Sequence, residues 1–183
     1  MDTSNAFRDL MATICTPVAV ATSMSGARPH GTTISAFASL SLHPPLVTMA
    51  LDGHSHLLRM LRSTKRFGIN VLAWHQEALA TAFAQPGHIR FDTVAWSTDH
   101  GLPRIDGCSS WMTCEVQRLI PGGDHVIAIG GVTHATYTSA PPLIYHNRTF
   151  GTHSRFTEPA TLPRTHVHQP ATQHTHYTAP RYE

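Results

Sequence analysis

Three short stretches of this 183-residue chain gather side chains able to hold a ligand. In Gly31-Thr32-Thr33-Ile34-Ser35-Ala36-Phe37, followed by Ser39, Ser41 and Pro44-Pro45, hydroxyls and backbone N–H groups crowd beside a glycine. Small side chains let a flat ligand approach the backbone, which suits a phosphate or the polar edge of a heteroaromatic ring. An edge strand with a polar face has the same composition. In Leu51-Asp52-Gly53-His54-Ser55-His56 a strand end turns into a helix start, where first-turn N–H groups and a Ser hydroxyl form an anion site or a plain helix cap. In Gly122-Gly123-Asp124-His125 a glycine turn presents a His beside an Asp. This is a hydrogen-bonding group that titrates near neutrality, or a solvated turn histidine.

No carboxylate pair and no nucleophile with an adjacent base stands out among the 11 acidic residues and the three cysteines, so hydrolytic and covalent mechanisms lack their parts. Of fifteen histidines, five follow residue 150. His166/His168 and His174/His176 have a spacing that puts both rings on one side of an extended chain, open to zinc, nickel or copper. No Cys or carboxylate joins them, and a solvated low-complexity tail is the expected reading, with no metal site assigned.

The elements that must position these stretches are mostly strands. Pro17 to Ser23 is β-branched and runs into a Ser25-Gly26 turn, predicting a hairpin. Pro29 to Leu40 continues as one strand, with Thr33, Ser35 and Phe37 on one face and Ile34, Ala36 and Ala38 on the other. Leu46 to Leu51 is a near-continuous apolar run, expected at the centre of a sheet. Ser55 to Thr64 places Leu57, Leu58 and Leu61 at helical spacing; Phe67 to Leu72 reads as a strand and Gln76 to Ala84 as a second short helix. After a loop from His88 to Pro103, Ser110–Leu119, His125–Thr138 and Leu143–His146 are strand-like. Turns rather than crossover helices join successive strands, which favours an antiparallel barrel over a doubly wound sheet.

Composition narrows the classes further. With 41% hydrophobic residues the chain can bury one core. Thirteen basic against 11 acidic residues give +2, too little field for nucleic acid. No apolar run reaches the roughly 18 residues of a membrane span, and the first ten residues hold Asp2, Arg8 and Asp9, unlike a signal peptide. A cytoplasmic protein with no membrane contact is expected, its three cysteines Cys15, Cys108 and Cys114 reduced and mostly buried. Aliphatic residues thin out near residue 150, dividing the chain into 1–150, one domain, and 151–183, a His/Pro/Thr-rich tail or arm that cannot build its own core.

In order and spacing, the chain resembles the short-chain flavin reductases, the reductase components of two-component flavin-dependent monooxygenases. The matching text includes Phe7-Arg8, Thr16-Pro17-Val18-Ala19-Val20-Ala21-Thr22, His30 to Ser41, Pro44-Pro45-Leu46-Val47, Leu51-Asp52 with Ser55, Phe67 to Leu72, Phe83-Ala84 with Pro86-Gly87, Arg90-Phe91, Gly123-Asp124-His125-Val126-Ile127 and Pro142 to His146. That resemblance implies a mainly β, antiparallel Greek-key split β-barrel of the FMN-binding type, homodimeric. It transfers hydride from NADH or NADPH to FMN or FAD and supplies diffusible reduced flavin to a partner monooxygenase. It places Thr32, Thr33, Ser35 and Ala36 along the isoalloxazine, with Leu51, Asp52 and Ser55 beside the ring and ribityl-phosphate chain. Arg90 and Phe91 match a basic-aromatic pair. Gly123, Asp124 and His125 fall on the nicotinamide side, His125 being the catalytic-site candidate as a positioning residue and not a nucleophile. His54 and His56 replace the usual charged text near Ser55, leaving FMN against FAD open. The lack of an Arg cluster for a 2′-phosphate favours NADH. A flavin or haem carrier without turnover on the same barrel is the alternative.

Overall fold

A computed structural model describes residues 2–85 and 89–153, with the backbone alone for Ile89 and Arg90. The histidine pairs of the tail lie outside the described residues. The body is a seven-stranded antiparallel sheet built from β2 (Ala19–Ser25), β3 (Arg28–Ile34), β4 (Phe37–Leu42), β5 (Pro45–Asp52), β6 (Arg66–Val71), β9 (Ser110–Gly122) and β10 (His125–Tyr137), in the order β3-β2-β6-β9-β10-β5-β4. β1 (Thr16–Pro17), β11 (Ile144–His146) and β12 (Thr149–Gly151) form a small second sheet. Among the described residues α1 (Thr3–Ala12) precedes the first strand, and α2 (His56–Thr64) and α3 (Glu77–Ala84) sit in connections between strands.

Most expected elements are present, and the differences have physical causes. The strand expected over Pro29–Leu40 is two strands. Ile34 is the last residue of β3 paired with β2, and Phe37 is the first of β4 paired with β5. Ser35 and Ala36 bridge the two outermost strands, so the alternation read across them does not carry through. The Leu46–Leu51 run, expected at the centre of the sheet, lies in β5, one strand in from the edge. It reads as continuously apolar because Val47, Met49 and Leu51 are buried while its other residues are half covered. The loop expected over His88–Pro103 contains a 3-10 turn at Ile89–Asp92 and a hairpin of β7 (Trp96–Asp99) and β8 (Leu102–Ile105). Asp99 of that hairpin bonds Arg104 at 2.8 Å and His100 at 2.6 Å. Cys108 and Cys114 are buried and Cys15 is exposed, in keeping with thiols that are mostly buried. Burial pushes the Cys114 thiol up to about 12, so it is inert.

The core lies on both faces of β2. Ala19 and Ala21 face a cluster containing Ile34, Met49, Phe67 and the Leu57, Leu58 and Leu61 stripe of α2. Val18 and Val20 face Leu72, Phe83, Phe91 and Leu143. Two close crossings require glycine: a Cβ at Gly68 would overlap the Trp111 ring, and one at Gly130 the Phe67 ring. Gly130 stands where the β9–β10 ladder slips register, a bulge that bends both strands. Past residue 150 the chain still pairs, β12 running to Gly151 against β11.

Candidate functional site

β3, β5, α2 and the start of β10 surround a cavity of about 790 Å³, within the range of small-molecule and cofactor sites. One end is made by Ser35 and Ala36 with Ala50 and Leu51; the other by His30 on β3 with Ser55, His56 and Arg59 of α2. Asp52 and His125 stand opposite one another in the β5–β10 ladder and close a side wall.

Local sequence explains each placement. Along β3, Gly31 points at Val20 and Phe83, and a Cβ there would stand only 3.1 Å from each side chain. By strand alternation His30 and Thr32 therefore point the other way, toward the cavity. Thr33 donates its hydroxyl to the Ala80 carbonyl at 2.7 Å, tying β3 to α3, so its polar group is already engaged although it lines the cavity. Ser35 and Ala36 lie outside both ladders, their N–H groups released from strand pairing. Phe37 N–H returns to the Ser35 carbonyl at 3.1 Å, and Ala50 N–H reaches the Ala36 carbonyl at 2.8 Å.

Ser55 is the N-cap of α2, accepting from Leu58 N–H at 3.5 Å, and also lines the cavity. Capping and a ligand role are thus compatible at one residue. Asp52 accepts the His54 N–H at 2.7 Å, which shapes the turn. The turn of Gly123, whose φ is +64°, and Asp124 packs on this one. Gly53 N–H donates to the Asp124 carbonyl at 2.9 Å. His125 Nδ1 lies 2.7 Å from Asp124 Oδ1. The His125 hydrogen bond holds the Asp124 carboxyl below its ordinary range. An ionised carboxylate only accepts, so Nδ1 carries the proton and Nε2 is left for a ligand.

Of the expected residues, Thr32, Thr33, Ser35, Ala36, Leu51, Asp52, Ser55 and His125 line this one cavity. Gly123 and Asp124 do not line it and reach it only through His125. Phe91 is buried, edge-on to Phe83 at 5.1 Å and to Trp96 at 5.3 Å, so it packs behind α3. The Arg90 side chain lies outside the described residues. Sequence reasoning missed Arg59 and His30 as lining residues, and named His54 and His56 only as part of the helix-start stretch and as replacements near Ser55. Arg59 was signalled by its spacing: it is three residues from His56 and four from Ser55, one face of a helix whose other face is the leucine stripe. Among the described residues no group of three or more His, Cys, Asp or Glu is placed to hold a metal ion.

The flavin reductase like domain matches residues 11–154. An NADH:FMN oxidoreductase of Rhodococcus qingshengii is 40% identical over 136 residues, 70% of this chain and 71% of that one. The reductase component of a 4-nitrophenol 4-monooxygenase/4-nitrocatechol 2-monooxygenase from Rhodococcus opacus is 33% identical over 146 residues, 79% of this chain and 78% of that one. The solved NADH:FAD oxidoreductase of Streptomyces globisporus, in complex with NAD and FAD fragments, superposes with a TM-score of 0.80 at 30% identity, covering 85% of this chain and 96% of that one. A chain that matches the domain over most of its length, and whose expected ligand-binding strand, helix start and His turn converge on one cavity, belongs to the flavin reductase family.

Proposed function

We propose that this protein is an NADH-dependent flavin reductase that supplies reduced flavin to a separate monooxygenase. The observation that carries the reading is the convergence of Ser35–Ala36, Leu51, Ser55 and His125 on one cavity large enough for a flavin nucleotide. The donor set fits such a group: backbone N–H outside the ladders at one end, a guanidinium and a hydroxyl at the other, and small residues between. When both nucleotides are bound, the chemistry is their own, a hydride passing from the reduced nicotinamide to the flavin ring with a proton from solvent.

The chain's residues bind and orient. Ser35 and Ala36 take the polar edge of the ring through backbone groups, and Ala36 and Ala50 are small enough to let it lie against the strand. Thr32 and Thr33 border it, Thr33 with its hydroxyl committed to α3. Leu51 and Asp52 flank it, and Ser55 and Arg59 face the phosphate end, where a helix start and a cation favour an anion. His125 offers Nε2 to the nicotinamide side, oriented by Asp124 on the Gly123 turn. Arg90 is carried as a cofactor contact by the resemblance alone, and Phe91 steadies α3 through Phe83. No general base is needed, which explains the absence of a catalytic triad. Holding two rings at reacting distance is the protein's main contribution.

The same reading gives a split β-barrel of the FMN-binding type working as a homodimer. The two outermost strands of the main sheet, β3 and β4, are joined through Ser35–Ala36, which brings its edges together at that point, and α1 carries an exposed apolar face for a second copy. It also places the enzyme in the cytoplasm, where buried Cys108 and Cys114 stay reduced. The 1–150 domain carries the activity, with 151–183 as an appendage.

The test is oxidation of NADH and of NADPH, followed at about 340 nm where the reduced nicotinamide absorbs, with no flavin, FMN or FAD. Turnover that depends on added flavin, faster with NADH, is expected. Flavin binding without turnover with either nucleotide overturns the reductase reading in favour of a carrier.

A further inference from the structure

Resting on the reading of the cavity as a flavin site, the geometry points to His30, His56 and Arg59 as a proton-dependent subsite for a terminal phosphate monoester, making FMN the preferred flavin over FAD and riboflavin. The three side chains share one end of the cavity. His30 lies four residue steps before Ile34 along β3, a span of about 13 Å at strand rise, which leaves room for a ring system at the Ser35 end and its phosphate at the His30 end. The His30 and His56 rings touch, centroids 4.4 Å apart and planes inclined at 58°. Arg59 lies one turn beyond Ser55 and bonds the His54 carbonyl through Nη1 at 3.1 Å, an anchor that uses one of its five N–H donors.

Charge decides which phosphate fits. Among the described residues the charged and titratable groups lining the cavity are His30, His54, His56, His125, Asp52 and Arg59. Asp52, the one acid, stands opposite His125 in the β5–β10 ladder, and its Oδ1 accepts the His54 N–H and lies 3.4 Å from His54 Nδ1, so its carboxylate is engaged by the turn before α2. The phosphate end thus holds one permanent cation and two imidazoles. Two imidazolium rings in contact repel each other, so the second proton is costly without an anion and favourable with one. A monoester phosphate supplies that anion: it carries about −1.5 to −2 at neutral pH and offers three unesterified oxygens. The bridging phosphates of FAD carry one charge each, and an adenosine must follow them past the histidines. No Phe, Tyr or Trp among the described residues lines the cavity to stack its base. Riboflavin presents no phosphate. Protonation of the two imidazoles strengthens their hold on a phosphate, so the preference weakens in alkali.

Fluorescence titration of riboflavin, FMN and FAD with the full chain at pH 6.5 and 8.5 tests this. FMN is expected to bind at least about tenfold more tightly than the other two at pH 6.5, an advantage typical of charge-assisted contacts, and several-fold less selectively at pH 8.5. Arg59→Ala and the double variant His30→Gln/His56→Gln should bring FMN to within about twofold of riboflavin while riboflavin affinity stays put. Arg59→Lys should keep most of the preference, and the double variant should lose its pH dependence. All three side chains stand outside the buried core, and unchanged melting temperatures show that the variants fold. Equal weakening of all three flavins, or FAD held as tightly as FMN by the native chain, overturns the subsite. Failure of the native chain to bind any flavin overturns the flavin reading beneath it.

Discussion

His125 owes its orientation to Asp124, a neighbour that does not itself line the cavity. Asp124 is exposed, and its hydrogen bond to His125 Nδ1 at 2.7 Å sets the tautomer. His125→Ala is therefore expected to raise KM for NADH about tenfold, the loss of one charge-assisted or well-placed hydrogen bond, and to leave flavin affinity unchanged. Steady-state kinetics beside a flavin titration would separate the two. The pH sense follows from the lowered Asp124 pKa. A depressed carboxyl contributes through its ionised form above the ordinary carboxylate range, and the contribution is lost as pH falls through the lowered value. KM for NADH should thus show no limb from Asp124 between about pH 5 and 9. Asp124→Asn should raise it several-fold at every pH in that window, and a native profile that steepens near pH 5 would contradict the assignment. At this scale the Gly-Asp-His turn was legible because a glycine turn beside a charged pair is a local signal. Arg59 was not, because its relevance depends on β3 crossing the helix start.

The elements are held by contacts that make specific demands. Gly130 stands at the bulge of the β9–β10 hairpin against Phe67. Gly130→Ala forces the ring or the bulge to move and should cost about 1–3 kcal/mol, as overpacking does, which lowers the melting temperature by several degrees for a chain of this size. Ser55→Ala removes the α2 cap and should cost about 1 kcal/mol. Flavin affinity would fall with it if the helix start shifts, so melting and flavin titration belong together. In the β7–β8 hairpin, Arg104 first and then His100 hold the Asp99 carboxyl below its ordinary range, so that pair contributes above about pH 4 and fades in acid. The alternating and leucine-spaced segments, β2, β5, α2 and β6, were legible because their periods report the faces they bury. The Trp96–Ile105 hairpin was missed because each strand has four residues, too short to establish a period. α1 was missed because it buries nothing.

For the whole molecule, that unburied helix is the outstanding feature. Phe7, Leu10 and Met11 of α1, at the spacing of one helical face, and Ile14 just past its end are each more than 40% exposed, and Arg148 ties the helix to the β11–β12 turn through Asp9. Such a stripe fits association with a second copy, so sedimentation or light scattering should show a dimer that Leu10→Asp weakens toward monomer. A monomeric native chain would set the homodimer aside. The sequence by itself determined the mainly β class, the helix after β5, the three stretches that supply residues to the cavity and the family, because these are written in local periodicity, turn residues and ordered motifs. Only the tertiary structure decided that the chain breaks at Ser35–Ala36 and that Thr33 turns its hydroxyl to α3. It alone also showed that Phe91 packs behind the site, and that His30, His56 and Arg59 share the end of one cavity. These are facts of which strand crosses which helix, and such long-range pairings depend on the packing of the whole sheet, which no local stretch of residues encodes.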